Sequence, residues 1–331
     1  MHKISIGVNW QGPLDLDATI EEARIADDSG VHLMSVAEAW GRDAFVILTA
    51  LAGATQRVHL GTSIVNIFSR SPAALAQAFI TLDTYFGQRM VIGIGSSGPQ
   101  VIEHFHGVKF EKPFTRVREY VEIINMLMRK EKLDYQGDVH QLARGFTLRF
   151  DPVRSHIPIW IASITPKSVK QTAAIADGWM PIFIPRDRWR EQLAAFEGAV
   201  REAGRRPQDV QVRCPYNVTV TSDPQRVIAA RRANAAFYIA RMGDFYYQHF
   251  VRMGYRDAAD AVRKAWAEGG SSAGAAALPD ALVDQLGMAG ELGACIDALD
   301  AAQEAGFSLL SVGVAERDPE KRAAIYRQLV G

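Results

Sequence analysis

Val58-His59-Leu60-Gly61-Thr62-Ser63-Ile64-Val65-Asn66, followed by Ser71-Pro72, is the stretch on which the reading of the fold turns. The first part is an apolar, β-branched run of strand length without strict polar alternation, the pattern of a strand covered on both faces. Ser71 then offers an N-cap oxygen, and Pro72 falls at the first helical position, where its missing N–H costs nothing. Gly87 ends that helix, and another apolar run, residues 90–95, follows it. The stretch is one β-then-α unit.

The unit recurs in both directions. Upstream, Ile4-Ser5-Ile6-Gly7-Val8-Asn9-Trp10 reads as a strand, then a helix with Leu16, Ile20 and Ala23 on one face runs to Gly30. Residues 32–38 form the next strand, and Asp43 caps a helix to about Thr55. Downstream, a helix from Phe114 carries Val117, Val121, Ile124 and Leu127, and residues 157–163, 179–184, 211–220 and 307–315 supply four more strands. Thr165-Pro166, Asp223-Pro224 and Asp318-Pro319 repeat the opening device, while Gly178 and Gly306 repeat the closing glycine. Residues 30–36 echo residues 306–312 at four of seven positions. Eight such units with no Pro/Gly/Ser-rich linker predict one α/β domain over residues 1–331, a (β/α)8 TIM barrel. Two insertions break the alternation. Residues 131–156 read as a hairpin and loop, and residues 221–304 as a helical excursion before the last strand, with Gly269-Gly270-Ser271-Ser272-Ala273-Gly274 as its low-complexity joint.

Composition narrows the function. The 331 residues hold 37 Lys+Arg and 37 Asp+Glu, so no global positive field suits nucleic acid or an anionic membrane. Cys214 and Cys295 have no metal-ligand spacing and read as core thiols. Neither a signal-peptide h-region nor a spanning apolar run is present, which predicts a cytoplasmic protein.

In barrels the chemistry sits at the C-terminal ends of the strands. Glu38 ends an apolar strand beside Trp40, where desolvation would favour a general acid; its alternative is a partner of Arg42 or another rim arginine. Gly93-Ile94-Gly95-Ser96-Ser97-Gly98 matches G-x-G-x-x-G, but it follows the fourth strand, Pro99 comes at once, and no acid ends a strand about 20 residues on. A small-residue loop against a flat or phosphate-bearing cofactor fits better than a dinucleotide site. His104 and His106 lack a third histidine, so no metal is expected. Thr165-Pro166-Lys167-Ser168 reads as a phosphate seat or as an ordinary helix cap. The aromatic stretch 237–247 reads as core or subunit-interface packing, with a lid over an apolar ligand as the alternative.

The third strand with Ser71-Pro72 and Ala76-Gln77-Ala78, the loop 93–98, and Ile159-Trp160-Ile161-Ala162-Ser163-Ile164-Thr165-Pro166-Lys167 with Ala176-Asp177-Gly178-Trp179 together resemble the bacterial luciferase-like flavin and deazaflavin oxidoreductases, in order over most of the chain. Residues 36–44 and 97–101 resemble the branch that uses coenzyme F420, akin to methylene-tetrahydromethanopterin reductase. The resemblance implies a cis peptide at Ser63-Ile64 behind the deazaflavin ring. It places Asn66, Ser96, Ser97 and Gln100 along the cofactor, and Ile164 and Thr165 at its phosphate; the strand ends add Asn9, Gly95 and Ser163 as cofactor candidates, and Lys167 is the cation beside the phosphate seat. Glu38 matches the family's acid. Ala39 and Gly98 stand where the sugar-phosphate dehydrogenases carry His and Glu, which argues against that substrate. Family habit implies a homodimer acting on a small-molecule substrate. The expected reaction is hydride transfer between F420 and a small organic molecule. The alternatives are an FMN-dependent monooxygenase, a flavin- or deazaflavin-binding protein without turnover, and an NAD enzyme resting on residues 93–98 alone.

Overall fold

The computed structural model describes residues 1–8 and 15–331. All eight expected strands form: β1 (Ile4–Val8), β2 (Leu33–Val36), a third in two pieces, β3 (His59–Thr62) and β4 (Val65–Asn66), then β5 (Met90–Gly95). After the hairpin β6 (Leu133–Gln136) and β7 (Gln141–Phe146) come β8 (Ile159–Ala162), β9 (Gly178–Met180), β10 (Gln211–Val220), the additional β11 (Gly287–Gly290) and β12 (Leu309–Val314). Apart from the hairpin and β11, strands and helices alternate as a (β/α)8 barrel. Two compact units make up the chain: residues 5–162 with 174–179, and residues 1–4 with 163–173 and 180–331. Among the described residues no helix is long and apolar enough to cross a membrane.

In the first unit the parallel registers run Gly7↔Ser35, Ser35↔Gly61 and Gly61↔Val91. The pairing then resumes at Val65↔Ile94, so four residues of the third strand oppose three of β5. This one-residue bulge splits β3 from β4 and re-aims the side chains at their junction. Thr62 pins it, its hydroxyl donating to the Gly93 carbonyl (2.6 Å) and accepting from the Gly93 N–H (3.1 Å). The Ser63–Ile64 peptide at this bulge is cis, as the resemblance implied.

The helix openings follow the expected chemistry. Ser71, Asp223 and Asp318 side chains each accept from the N–H three residues on, and Asp43 accepts from Phe45 and Val46. Gly30, Gly87 and Gly306 carry the left-handed φ values of helix stops (80°, 86° and 113°). Gly178 differs: it opens β9, and a Cβ there would lie 2.4 Å from the Trp160 ring, so close packing rather than a helix stop requires glycine.

In the second unit β10 pairs in parallel with β11 and β12. The excursion consists of helices Pro224–Arg241, Asp244–Arg252, Arg256–Ala276 and Asp280–Gln285. Its glycine-rich joint is a kink at Gly270 (φ 72°) inside a helical run, not a loop. The strand β11, Gly287-Met288-Ala289-Gly290, was not expected, because so short a glycine-flanked run carries little strand signal. Tyr238 and Tyr246 of the aromatic stretch pack ring against ring with Phe183, which also meets Phe250, so these two tyrosines are core packing, while Phe245 is exposed.

The hairpin insertion hangs on one buried carboxylate. Glu119 accepts from the N–H groups of Asp138, Val139 and His140 and from the His140 ring (2.9 Å). Burial alone would raise its pKa, but these donors, the His140 ring foremost, hold it below the ordinary glutamate value. A folded-state pKa so depressed gives stability that is present above the unfolded value, about 4.3, and is lost as pH falls through the folded value. Amide protection factors at residues 138–140 are therefore expected to collapse on acidification in that range, and Glu119→Gln is expected to lower them at neutral pH. Unchanged protection in Glu119→Gln would contradict the anchoring role.

Candidate active site

Glu38 lies just past the end of β2, where its N–H donates to the Ile64 carbonyl (3.0 Å) and so ties it to the bulge. The sequence pointed to a desolvated carboxyl suited to proton donation. The structure gives its alternative, an arginine partner, and the arginine is Arg70 rather than Arg42. Arg70 Nη1 and Nη2 donate to Glu38 Oε1 (2.5 Å) and Oε2 (3.0 Å), and the Ala44 N–H donates to Oε2 (2.9 Å). This paired-fork arrangement serves an accepting carboxylate rather than an O–H donor. Arg70 Nη2 also donates to Asp43, and the guanidinium lies over the Phe45 ring, 4.8 Å from its centroid. Burial opposes the Arg70 charge, but Glu38 and Asp43 more than restore it and raise its pKa. The Tyr120 hydroxyl, pushed up to about 12 chiefly by burial, donates to the Arg70 carbonyl.

Asn66 is buried at the end of β4. Its Oδ1 accepts from the Phe68 (2.9 Å) and Ser69 (2.8 Å) N–H groups, which fixes the amide orientation. Nδ2 must then donate, and it does so to His106 Nε2 at 3.3 Å, so His106 carries its ring proton on Nδ1. Most of the polar capacity of Asn66 is thus used inside the protein. The Ser63 hydroxyl accepts from Ser35 (2.9 Å), the neighbour on the adjacent strand. Gly95 sits against the bulge, and a Cβ there would lie 3.2 Å from Ile64 Cδ1 and 3.4 Å from Ala162 Cβ. Beyond it Ser96 bonds to the Ser97 carbonyl (3.2 Å), and Ser97 adopts a left-handed φ of 56° that turns the chain into helix Pro99–His104. Gln100, in that helix, holds a buried side-chain Oε1 with no hydrogen-bond partner among the described residues. An acceptor left in this state costs free energy unless a donor arrives.

In the second unit, residues 163–168 form a reciprocal cap. Thr165 Oγ1 accepts from the Ser168 N–H (3.2 Å), and Ser168 Oγ accepts from the Thr165 N–H (3.1 Å). The Thr165 N–H, assigned to a phosphate by resemblance, is therefore engaged by the protein's own hydroxyl. The Ser163 hydroxyl pairs with Thr172 (2.9 Å), and Lys167 is exposed. The Ile164 carbonyl accepts from Arg252 Nη2 (3.2 Å), a cation delivered by the helical excursion and missed by the sequence reading. Asn9 lies outside the described residues. Among the described residues no group of three His, Cys, Asp or Glu side chains is placed to hold a metal ion.

The first unit thus supplies strand ends shaped by small residues and, in the helix after β5, a buried Gln100 Oε1 with no hydrogen-bond partner among the described residues. Residues 4–309 match the family model for luciferase-like monooxygenases. A protein of Mycobacterium tuberculosis named as a coenzyme F420-dependent oxidoreductase is 32% identical over 327 residues, 94% of each chain. The 5,10-methylenetetrahydromethanopterin reductase of Archaeoglobus fulgidus is 28% identical over 93% of this chain and 92% of its own. In fold, the coenzyme F420 dependent tetrahydromethanopterin reductase of Methanopyrus kandleri superposes with a TM-score of 0.81 over 99% of this chain and 98% of its own, at 21% identity. The chain belongs to the luciferase-like monooxygenase family.

Proposed function

We propose that this protein is an oxidoreductase that binds coenzyme F420 and moves a hydride between it and a small organic substrate. The observation that carries the reading is the unanswered Oε1 of Gln100 in the segment after β5, since a deazaflavin offers ring N–H and ribityl O–H donors to such an acceptor. The similarity to the Mycobacterium tuberculosis protein over 94% of both chains supports the choice of F420 over FMN.

Bound there, F420 supplies the two-electron hydride chemistry, and the protein supplies binding, orientation and exclusion of water. Ile64, Gly95, Ser96, Ser97 and Gln100 would hold it, and Asn66 keeps the loop 68–69 and the His106 ring in place. Ser163, Ile164, Thr165 and Lys167 belong to the phosphate end, where Lys167 is the cation because the Thr165 N–H is already bonded. Glu38 acts as a positioning residue: it keeps Arg70 and the start of the next helix against the bulge.

A positioning role and a proton-donor role separate experimentally. With anaerobic F420H2 and a panel of carbonyl and unsaturated acceptors, Glu38→Gln is expected to lower kcat/KM about tenfold at every pH, with the profile unmoved. Loss of one limb of the profile would instead make Glu38 the acid. Gln100→Leu is expected to weaken F420 binding by about tenfold, the cost of one lost hydrogen bond from a buried site. Unaltered F420 affinity in Gln100→Leu, or oxygen-dependent turnover with FMNH2 in place of F420H2, would overturn the proposal in favour of a monooxygenase.

A further inference from the structure

We infer that His106 is a positioning residue: through its unprotonated Nε2 it locks Asn66 and the loop 67–70, and a proton on that nitrogen releases them. The inference rests on the oxidoreductase reading above in linking this lock to F420 affinity, whereas the lock itself lies wholly in the first unit. Asn66 is 1% exposed, and only one orientation of its amide serves every neighbour. Oδ1 accepts from the Phe68 (2.9 Å) and Ser69 (2.8 Å) N–H groups, which leaves Nδ2 to donate to His106 Nε2 (3.3 Å). Turning the amide over sets its NH2 against two N–H donors. Protonating Nε2 sets an imidazole N–H against that NH2. Either way buried donors face each other, so the arrangement holds only while Nε2 keeps its lone pair.

The ring joins two segments of that unit. On one side the His106 N–H donates to the carbonyl of Val101 (3.2 Å), the residue after Gln100. On the other, Ser69 carries the tie onward: its hydroxyl donates to the Asn66 carbonyl (3.3 Å) and accepts from Arg70 Nη1 (3.3 Å). His106 therefore links the Gln100 helix to the loop that holds the Arg70–Glu38 pair.

Among the described residues no charged group bonds to the ring, whose contacts are the Asn66 amide and the Phe105 ring, edge-on at 5.0 Å. On its own segment Glu103 accepts from the Phe110 N–H, His104 is exposed, Lys109 pairs with Glu111 (2.9 Å), and Lys112 reaches the Asp138 carbonyl (3.2 Å). On the Asn66 loop Arg70 is held by Glu38 and Asp43. On helix Pro113–Met128 the Arg116 guanidinium lies over the Phe68 ring, 4.7 Å from its centroid. With no acid bonded to the ring to welcome a second proton, Asn66 is the group that reads its state. Histidine is the side chain that changes charge between about pH 5 and 8. Loop order is therefore present above the His106 titration and lost as pH falls through it.

The test is imidazole and amide NMR of the purified protein across that pH range, on the wild type, His106→Gln and His106→Leu. The expected result is a His106 ring proton on Nδ1 at neutral pH, and amide protection at Phe68 and Ser69 that falls as His106 titrates. His106→Gln, which offers an Oε1 acceptor but no titration, is expected to keep that protection at every pH. His106→Leu is expected to lower it about tenfold or more at every pH. F420 affinity is expected to fall about tenfold with acidification in the wild type and to stay level in His106→Gln. A ring proton on Nε2 at neutral pH, or protection at residues 68–69 that ignores the His106 titration, overturns the inference. Equal pH dependence of F420 affinity in His106→Gln and the wild type overturns it as well. Should His106→Leu not fold, the wild-type titration and His106→Gln decide. If F420 binds neither the wild type nor any variant, the cofactor reading fails on its own, while the ring proton and the amide protection still judge the lock.

Discussion

The guanidinium of Arg70, clamped between Glu38 and Asp43, is the constraint on which the geometry of the first unit's strand ends depends. Glu38 follows β2, Asp43 caps helix Ala44–Ala54 at the other end of the same loop, and Arg70 stands in the loop that enters helix Pro72–Tyr85, so one cation ties two successive β-α joints. The backbone extends the tie, since the Glu38 N–H reaches the Ile64 carbonyl at the bulge. Removing one partner of a buried ion pair costs about 3–5 kcal/mol because the other charge is stranded. The figure is smaller here, since Arg70 keeps 21% of its side chain exposed. The tie matters less for stability than for holding the bulge, and with it Ile64 and Asn66, in one position.

Charge balance acquires a local meaning from this. With 37 basic and 37 acidic residues there is no long-range field to gather an anion, so anions must be met by particular groups. Arg70 is already neutralised by its two carboxylates.

Much of the fold was legible because its signals are local. Ser71-Pro72, Asp223-Pro224 and Asp318-Pro319 cap helices through an N–H three residues away, an interaction contained in a tetrapeptide. Gly178 misled because a glycine required for close approach to Trp160 looks in sequence like one required for a turn. The site was less legible. Glu38 and Arg70 are 32 positions apart, and nothing near Glu38 selects Arg70 over the adjacent Arg42. Thr165 and Lys167 were placed at a phosphate by pattern, yet a hydroxyl three residues on, at Ser168, competes for the same N–H. The missing partner of the buried Gln100 Oε1 among the described residues is an absence, which only three-dimensional neighbours define.

The measurement that bears most directly on the account is an equilibrium titration of the purified apo-protein with F420, FMN and NADPH, followed by fluorescence. The account expects saturable, stoichiometric binding of F420, with FMN weaker by about a hundredfold, as when a site's polar groups are left unmatched, and no binding of NADPH. Tight FMN binding with no response to F420 would contradict it.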